Sequence, residues 1–454
     1  MNANRPSRAA ANRKKRRRRQ AGQLFLAAAV VLIVWGGYGY WNQSHGSKSA
    51  EPGVTPLASA SPVPSMVTSS PDTLPSAIAS PTSSELIVTP EPSVSSSSPE
   101  AEPAETAASA VPSSNPAQTD GTQVNAASPI PYEPGVFTDP QRVQLSFVGD
   151  VLLGSKVDTL LTKNGYDYPY RNMFPYLQRP DLTVADLETP VTNGGGTKQT
   201  KEYVYTSSPK ALPAFKEAGF DLVNLANNHV MDYGVDGLLE TFDHLNDNGI
   251  PYVGAGRNAK EAFEPVFVEK KGIKIAFLGF SRVVPDQSWK AGASSPGVAD
   301  TYNYTLPVEA IRKAKERADL VVVIAHWGVE RQDTPEPYQK DLAHRFIDAG
   351  ADLIVASHPH VLQGFETYKG KWIAYSLGNF IFTTNSVVKT WDSMVLEASC
   401  TQEGDCALNA VPVLTKAAQP AVMLPDAALA LYRRLNLVSF GARILDSGNI
   451  VPIR

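Results

Sequence analysis

Between residues 143 and 376 the chain alternates short, almost wholly apolar runs with stretches whose apolar residues recur at helical spacing. Four runs share one plan: each opens on Asp-Leu, continues through a few apolar residues and ends on a side chain able to bind a metal. They are Asp181-Leu-Thr-Val-Ala-Asp-Leu-Glu188, Asp221-Leu-Val-Asn-Leu-Ala-Asn-Asn-His229, Asp319-Leu-Val-Val-Val-Ile-Ala-His326 and Asp352-Leu-Ile-Val-Ala-Ser-His-Pro-His360. A fifth, Val143-Gln-Leu-Ser-Phe-Val-Gly-Asp150, ends the same way. Short apolar runs between helical patterns predict buried, largely parallel strands. Helices are predicted over 209–219, 235–248, 307–318 and 337–349, the second closed by Gly249 and the last by Gly350. Runs 266–269 and 273–280 flank Lys271-Gly272, and runs 365–368 and 372–376 flank Lys369-Gly370, so each pair predicts a hairpin. Crossovers mixed with hairpins predict an α/β fold of two packed sheets with helices outside. Beyond Pro412 the pattern weakens, and a helix near 427–435 is predicted to cover an edge of the core.

In sheets of parallel strands, ligands bind beyond the carboxyl ends. The run ends therefore converge, and Asp150, Glu188, Asn228, His229, His326, His358 and His360 form one candidate site. Carboxylate oxygens together with imidazole nitrogens suit Mn, Zn or Fe. Two imidazoles two residues apart in an extended segment project to one side, which brings His358 and His360 together, with Pro359 limiting the backbone between them. Asp186 and Glu188 also share a side, so one can ligate while the other orients a histidine. Asn228 offers an amide oxygen, whereas Asn227 is expected to point away and hold the turn. Gly149, before Asp150, permits a tight turn or a close approach. The other three of the seven histidines, His45, His244 and His344, read as surface or core residues.

The net charge of −4 hides a strong segregation. Nine basic residues and no acid occupy the first nineteen positions, and an apolar segment over 21–41 follows at once. Roughly 20 apolar residues span a bilayer. The basic cluster places the N-terminus in the cytoplasm, and Trp35, Tyr38, Tyr40 and Trp41 suit the far interface. An uncleaved anchor fits better than a signal peptide, because the segment is long and no Ala-x-Ala site follows it closely. Beside a membrane span, the arginine run over 1–20 is explained by topology and anionic lipids and needs no nucleic acid. Residues 42–140 are Ser, Pro, Ala, Thr and Glu with few large apolar side chains, a composition that predicts a disordered stalk. As a coil it would reach on the order of 50 Å. The folded domain is then 141–454. Cys400 and Cys406 are the only cysteines, and outside the membrane a local disulfide is expected, with two free thiols as the alternative.

In this order, Gly149-Asp150, Asn228-His229, His326 and His358-Pro-His360 resemble the metallophosphoesterase series of Asp, Asn-His, His and His-x-His. More closely, the chain resembles the CapA family of poly-γ-glutamate capsule synthesis proteins. The matching segments are Gly149-Asp-Val-Leu-Leu-Gly154, Asp186-Leu-Glu-Thr-Pro190, Ala226-Asn-Asn-His-Val-Met-Asp-Tyr-Gly234, Gly254-Ala-Gly256, His326-Trp-Gly-Val-Glu330, Ser357-His-Pro-His-Val361 and Ser376-Leu-Gly-Asn-Phe380. The resemblance covers about 143–382 and implies a metallophosphoesterase-like sandwich carried on an anchor and stalk. It implies a role in making, exporting or attaching an anionic polymer such as poly-γ-glutamate, beside other membrane components. It also implies the alternatives of a metal-dependent hydrolase of phosphoester or γ-glutamyl amide bonds and of a structural module with a remnant site. In the hydrolase, His229 is the expected general acid, and Asp186, Glu330 and Asn379 orient the ligands. Two departures bear on the metal: Leu152 stands where metallophosphoesterases usually carry histidine, and Glu188 replaces the usual bridging aspartate. One divalent metal, or none firmly held, is therefore expected. With no ATP-binding P-loop in the chain, any polymer ligase is another protein.

Overall fold

A computed structural model of the chain describes residues 139–453. The basic tail, the apolar segment and residues 42–138 of the stalk region lie outside the described residues. Among the described residues, no helix is long and apolar enough to cross a membrane.

The apolar runs become strands because both their faces are covered. Val143–Val151, Leu182–Leu187, Leu320–His326 and Leu353–Ser357 are buried at every position. The first sheet has the parallel neighbours Val143–Val151, Leu182–Leu187, Leu222–Asn224 and Tyr252–Val253 on one side. The antiparallel strands Asp392–Cys400 and Cys406–Lys416 continue it on the other. The second sheet has a parallel centre of Ile273–Ser281, Leu320–His326, Leu353–Ser357 and Lys371–Ala374. The antiparallel strands Val266–Lys270 and Phe365–Tyr368 form its edges, so both expected hairpins are present.

Side-chain alternation divides the interior into layers. Val143, Leu145 and Phe147 pack with Ile275, Phe277, Val322 and Val355 between the sheets. Val148, Val151, Phe215, Phe242 and Leu245 join the helices outside the first sheet, and Phe280, Val323, Leu342 and Phe346 those outside the second. Helix Pro337–Ala349 starts with a reciprocal capping box between Glu336 and Gln339 and stops where Gly350 turns left-handed at φ 116°. Helix Pro425–Leu437 turns Ala428, Leu431, Tyr432 and Leu435 onto the inter-sheet core, as expected for the tail.

Three expectations need correction. The run ending at His229 is a strand only over Leu222–Asn224. Beyond it asparagine side chains replace the ladder: Ala226 N–H donates to Asn224 Oδ1, and His229 and Val230 N–H both donate to Asn227 Oδ1. His358 and His360 are not extended but left-handed, with φ 101° and 55°. Asp150 lies within its strand rather than at its end, at an irregularity where the register to Asp186 shifts. Gly149 serves a close backbone approach, since a Cβ there would lie 1.8 Å from the Gly378 carbonyl oxygen. The long hairpin of Asp392–Cys400 and Cys406–Lys416 was not legible in the pattern, and of the two states open to Cys400 and Cys406 it holds the disulfide.

Candidate metal centre

The carboxyl ends of both sheets' parallel strands meet, and the acids and histidines meet with them. Three groups of side chains bring one ligand atom each within 4.8 Å of the others: Asp150, Glu188 and His360; Glu188, His326 and His358; and Asp150, Asp186 and His326. Glu188 belongs to two groups and sits between them.

Each side chain is held by the backbone that delivers it. Asp150 pairs in register with Asp186 on one neighbour and Asn379 on the other, and His326 pairs with Ser357 and Ser281. Asp186 accepts from Asn224 Nδ2 at 2.9 Å, Asn227 Nδ2 at 2.9 Å, Ser357 Oγ at 3.1 Å and His326 Nδ1 at 3.1 Å. With both oxygens engaged, Asp186 orients His326. His326 Nε2 then lies 2.7 Å from Asn228 Oδ1 and 3.7 Å from Glu188 Oε1. His360 Nδ1 lies 3.1 Å from Asp150 Oδ2 and 2.9 Å from Asn379 Oδ1.

Of the buried side-chain atoms that find no hydrogen-bond partner among the described residues, four lie here: Asp150 Oδ1, both oxygens of Glu188 and Nδ1 of His358. Buried polar atoms are hydrogen-bonded in the great majority of cases, and an unpaired buried charge is costly. All four atoms belong to the three groups, and their chemistry is that of a borderline divalent cation. The residues present therefore fit a metal.

The electrostatics agree. Burial, reinforced by Asp150, Asp186 and Glu330, raises the Glu188 carboxyl well above the usual range. Burial pushes Asp150 upward too, but hydrogen bonding and charge from His360, with His326, outweigh it and leave Asp150 lowered. His358 is pushed well below the usual imidazole range by burial and by His326 and His360. Burial depresses His360, yet Asp150 more than compensates and raises it. A carboxyl whose ionisation is opposed, beside an imidazole whose protonation is opposed, is what a bound cation would suit.

Of the ligands expected from sequence, Asp150, Glu188, His326, His358 and His360 come together, and Asn228 touches them through His326. His229 falls outside all three groups. Its Nδ1 lies 2.8 Å from Asp232 Oδ2, its ring packs 4.6 Å from that of Tyr205, and burial lowers its pKa despite Asp232. Asn379 Oδ1 lies against His360 Nδ1. Glu330 does not orient a ligand: it is exposed, bonds to no site residue and acts only through its charge. His244 and His344 lie elsewhere, His344 paired with Glu366 at 2.7 Å. Sequence reasoning missed Asp232 and Lys201. Asp232 lies in the Ala226–Gly234 segment, where an acid three residues past His229 was the available signal; Lys201 gave none.

The family model for "Bacterial capsule synthesis protein PGA_cap" matches residues 144–384. Capsule biosynthesis protein CapA of Bacillus anthracis is 36% identical over 291 residues, covering 62% of this chain and 69% of that protein. PGA biosynthesis protein CapA of Bacillus subtilis is 34% identical over 283 residues, covering 62% and 74%. Among solved structures, the Haemophilus influenzae NAD nucleotidase aligns with a TM-score of 0.38 at 13% identity over 67% of this chain and 65% of that one, too distant to bear on chemistry. The matched segment contains every candidate ligand, and the chain belongs to the bacterial capsule synthesis protein family PGA_cap.

Proposed function

We propose that this chain acts at the outer membrane face of a bacterial cell in the synthesis, export or attachment of an anionic capsule polymer such as poly-γ-glutamate. Residues 21–41 anchor it, the basic tail touches anionic lipid on the cytoplasmic side, and other membrane proteins supply the polymer. The names of its relatives, capsule and PGA biosynthesis proteins, support the polymer reading. The four unsatisfied ligand atoms at the meeting strand ends support a metal centre, and that observation carries the chemical reading.

Asp150, Glu188, His358 and His360, with His326 and Asn228, would hold one or two divalent ions of Mn, Zn or Fe. Such an ion would supply an activated water and polarisation of a scissile γ-glutamyl amide or phosphoester. Asp186 and Asn379 orient the imidazoles. Asp232 lies 2.8 Å from His229 Nδ1, and a proton held on that nitrogen would leave Nε2 to exchange one with substrate.

Incubating the metal-loaded full chain with poly-γ-glutamate and following polymer length tests this reading. Shortening that is abolished in E188Q and requires metal supports the hydrolase. Bound metal with no change in polymer or phosphoester leaves an accessory role. Loss of capsule in cells without any metal uptake by the protein leaves a structural module.

A further inference from the structure

Between strand Leu182–Leu187 and the turn Pro209–Ala211, residues 193–206 form an irregular strap beside the centre. Asn193 at the start of the strap bonds to Glu240, and its middle is fastened around Asp232, whose carboxylate is fully buried. Gln199 N–H donates to the Asp232 carbonyl at 2.9 Å, and Tyr205 N–H to its Oδ2 at 2.7 Å. Lys201 pairs with Asp232 Oδ1 at 2.5 Å, donates to the Asn228 carbonyl at 2.6 Å and lies 3.1 Å from His229 Nδ1. The indole of Trp289 lies under the ammonium, 5.1 Å from ring centroid to Nζ. Lys201 thus joins three separate segments at the residue whose amide oxygen lies 2.7 Å from His326 Nε2.

Stability alone is a poor reason for such a pair. A buried ion pair replaced by apolar groups of similar volume is often no less stable, because the desolvation of both charges offsets their attraction. What the pair provides is a fixed geometry. Asp232 Oδ2 also accepts from His229 Nδ1–H, so one carboxylate sets the strap, the cation and the imidazole together. Tyr205, fastened by its own N–H, lays its ring 4.6 Å from that of His229, and Tyr203 stacks on it 6.4 Å farther out.

We propose that Lys201 is a positioning residue of the centre: through Asp232 and the Asn228 carbonyl it locks the 193–206 strap onto the turn that presents Asn228 and His229. The consequence for metal binding rests on the metal reading above, whereas the locking of the strap does not.

The test compares the full chain as wild type, K201M and K201R. Chymotryptic cleavage at Tyr203 and Tyr205 is followed without metal, and Co2+ affinity and its visible spectrum are measured separately. K201M should be cut in the strap on the order of tenfold faster while its melting temperature stays within a few degrees. Its Co2+ affinity should fall about tenfold or more, with an altered spectrum, and K201R should restore part of both. Should K201M fail to fold, K201Q, which keeps a donor but no charge, takes its place. Strap cleavage at the wild-type rate overturns the proposal, as does a freed strap with unchanged Co2+ affinity and spectrum. If wild type binds no Co2+ at all, the metal reading fails, and the cleavage rates alone decide whether Lys201 locks the strap.

Discussion

At the scale of residues, the centre is a set of charges held in an environment that does not suit them. Burial, with three neighbouring acids, opposes ionisation of Glu188 and raises its carboxyl well above the usual range. Its folded-state pKa is raised, so its contribution to stability is fully present below the ordinary carboxylate value and is lost as pH rises through the raised one. His358 has the opposite sign: its depressed pKa gives a contribution present above the ordinary imidazole value of 6.5 and lost as pH falls below it. In chelator-treated protein, the stability difference between wild type and E188Q should therefore move against wild type from about pH 5 to 8, by no more than about 1.4 kcal/mol per pH unit. Denaturant melts across that range check the slope, and a flat difference would show that Glu188 is ionised throughout. Asn227 is a second residue-scale test. Its amide donates to Asp186 Oδ1 and the Leu187 carbonyl, and its oxygen accepts from two backbone N–H groups. N227A should cost about 2–4 kcal/mol, read as a lower denaturant midpoint, because several buried partners lose their bonds at once.

At the scale of elements, much of the fold was legible because burial on both faces leaves a continuous apolar signature. The runs ending at Glu188 and His326 read directly as strands for that reason. Helix Pro337–Ala349 was equally plain, since its proline start and glycine stop are local chemistry. What escaped was structure made by side chains acting for the backbone. Asn224 and Asn227 end a strand inside an apolar run, and the left-handed turns at His358 and His360 have no compositional mark. The two histidines do reach one site, though by a strained turn rather than by strand alternation. Non-glycine residues at positive φ cost about 1–3 kcal/mol each and gather at functional sites. Of the site, the ligands at strand ends could be read from spacing, whereas Asp232 and Lys201 act from a turn and an irregular strap. Gly149 gives an element-scale prediction. A methyl group there meets the Gly378 carbonyl, which aligns Asn379 beside Asp150. G149A should lose about 3 kcal/mol or more in a chemical melt. A loss under about 0.5 kcal/mol would show that the two strands can part freely.

At the scale of the whole molecule, we propose from composition that residues 42–140 add nothing to the core of the packed domain. Ser, Pro, Ala and Thr bury too little surface to offset the entropy of ordering. Protein beginning at Pro131 should accordingly melt within a degree or two of the full chain, and a drop of about 10 °C would place part of the core upstream. The domain itself belongs to a capsule synthesis family, and its two sheets meet at a buried set of acids and imidazoles of which four atoms find no hydrogen-bond partner among the described residues. The central claim is that this set binds a divalent metal. Elemental analysis of the full chain after exposure to Mn2+, Zn2+ or Fe2+ and exhaustive dialysis tests it most directly, with the H358A/H360A double variant alongside. The account predicts at least one ion per wild-type chain, and none in a double variant whose far-ultraviolet spectrum is unchanged. Wild-type protein that retains no ion under these conditions, or a double variant that retains as much as wild type, would contradict it.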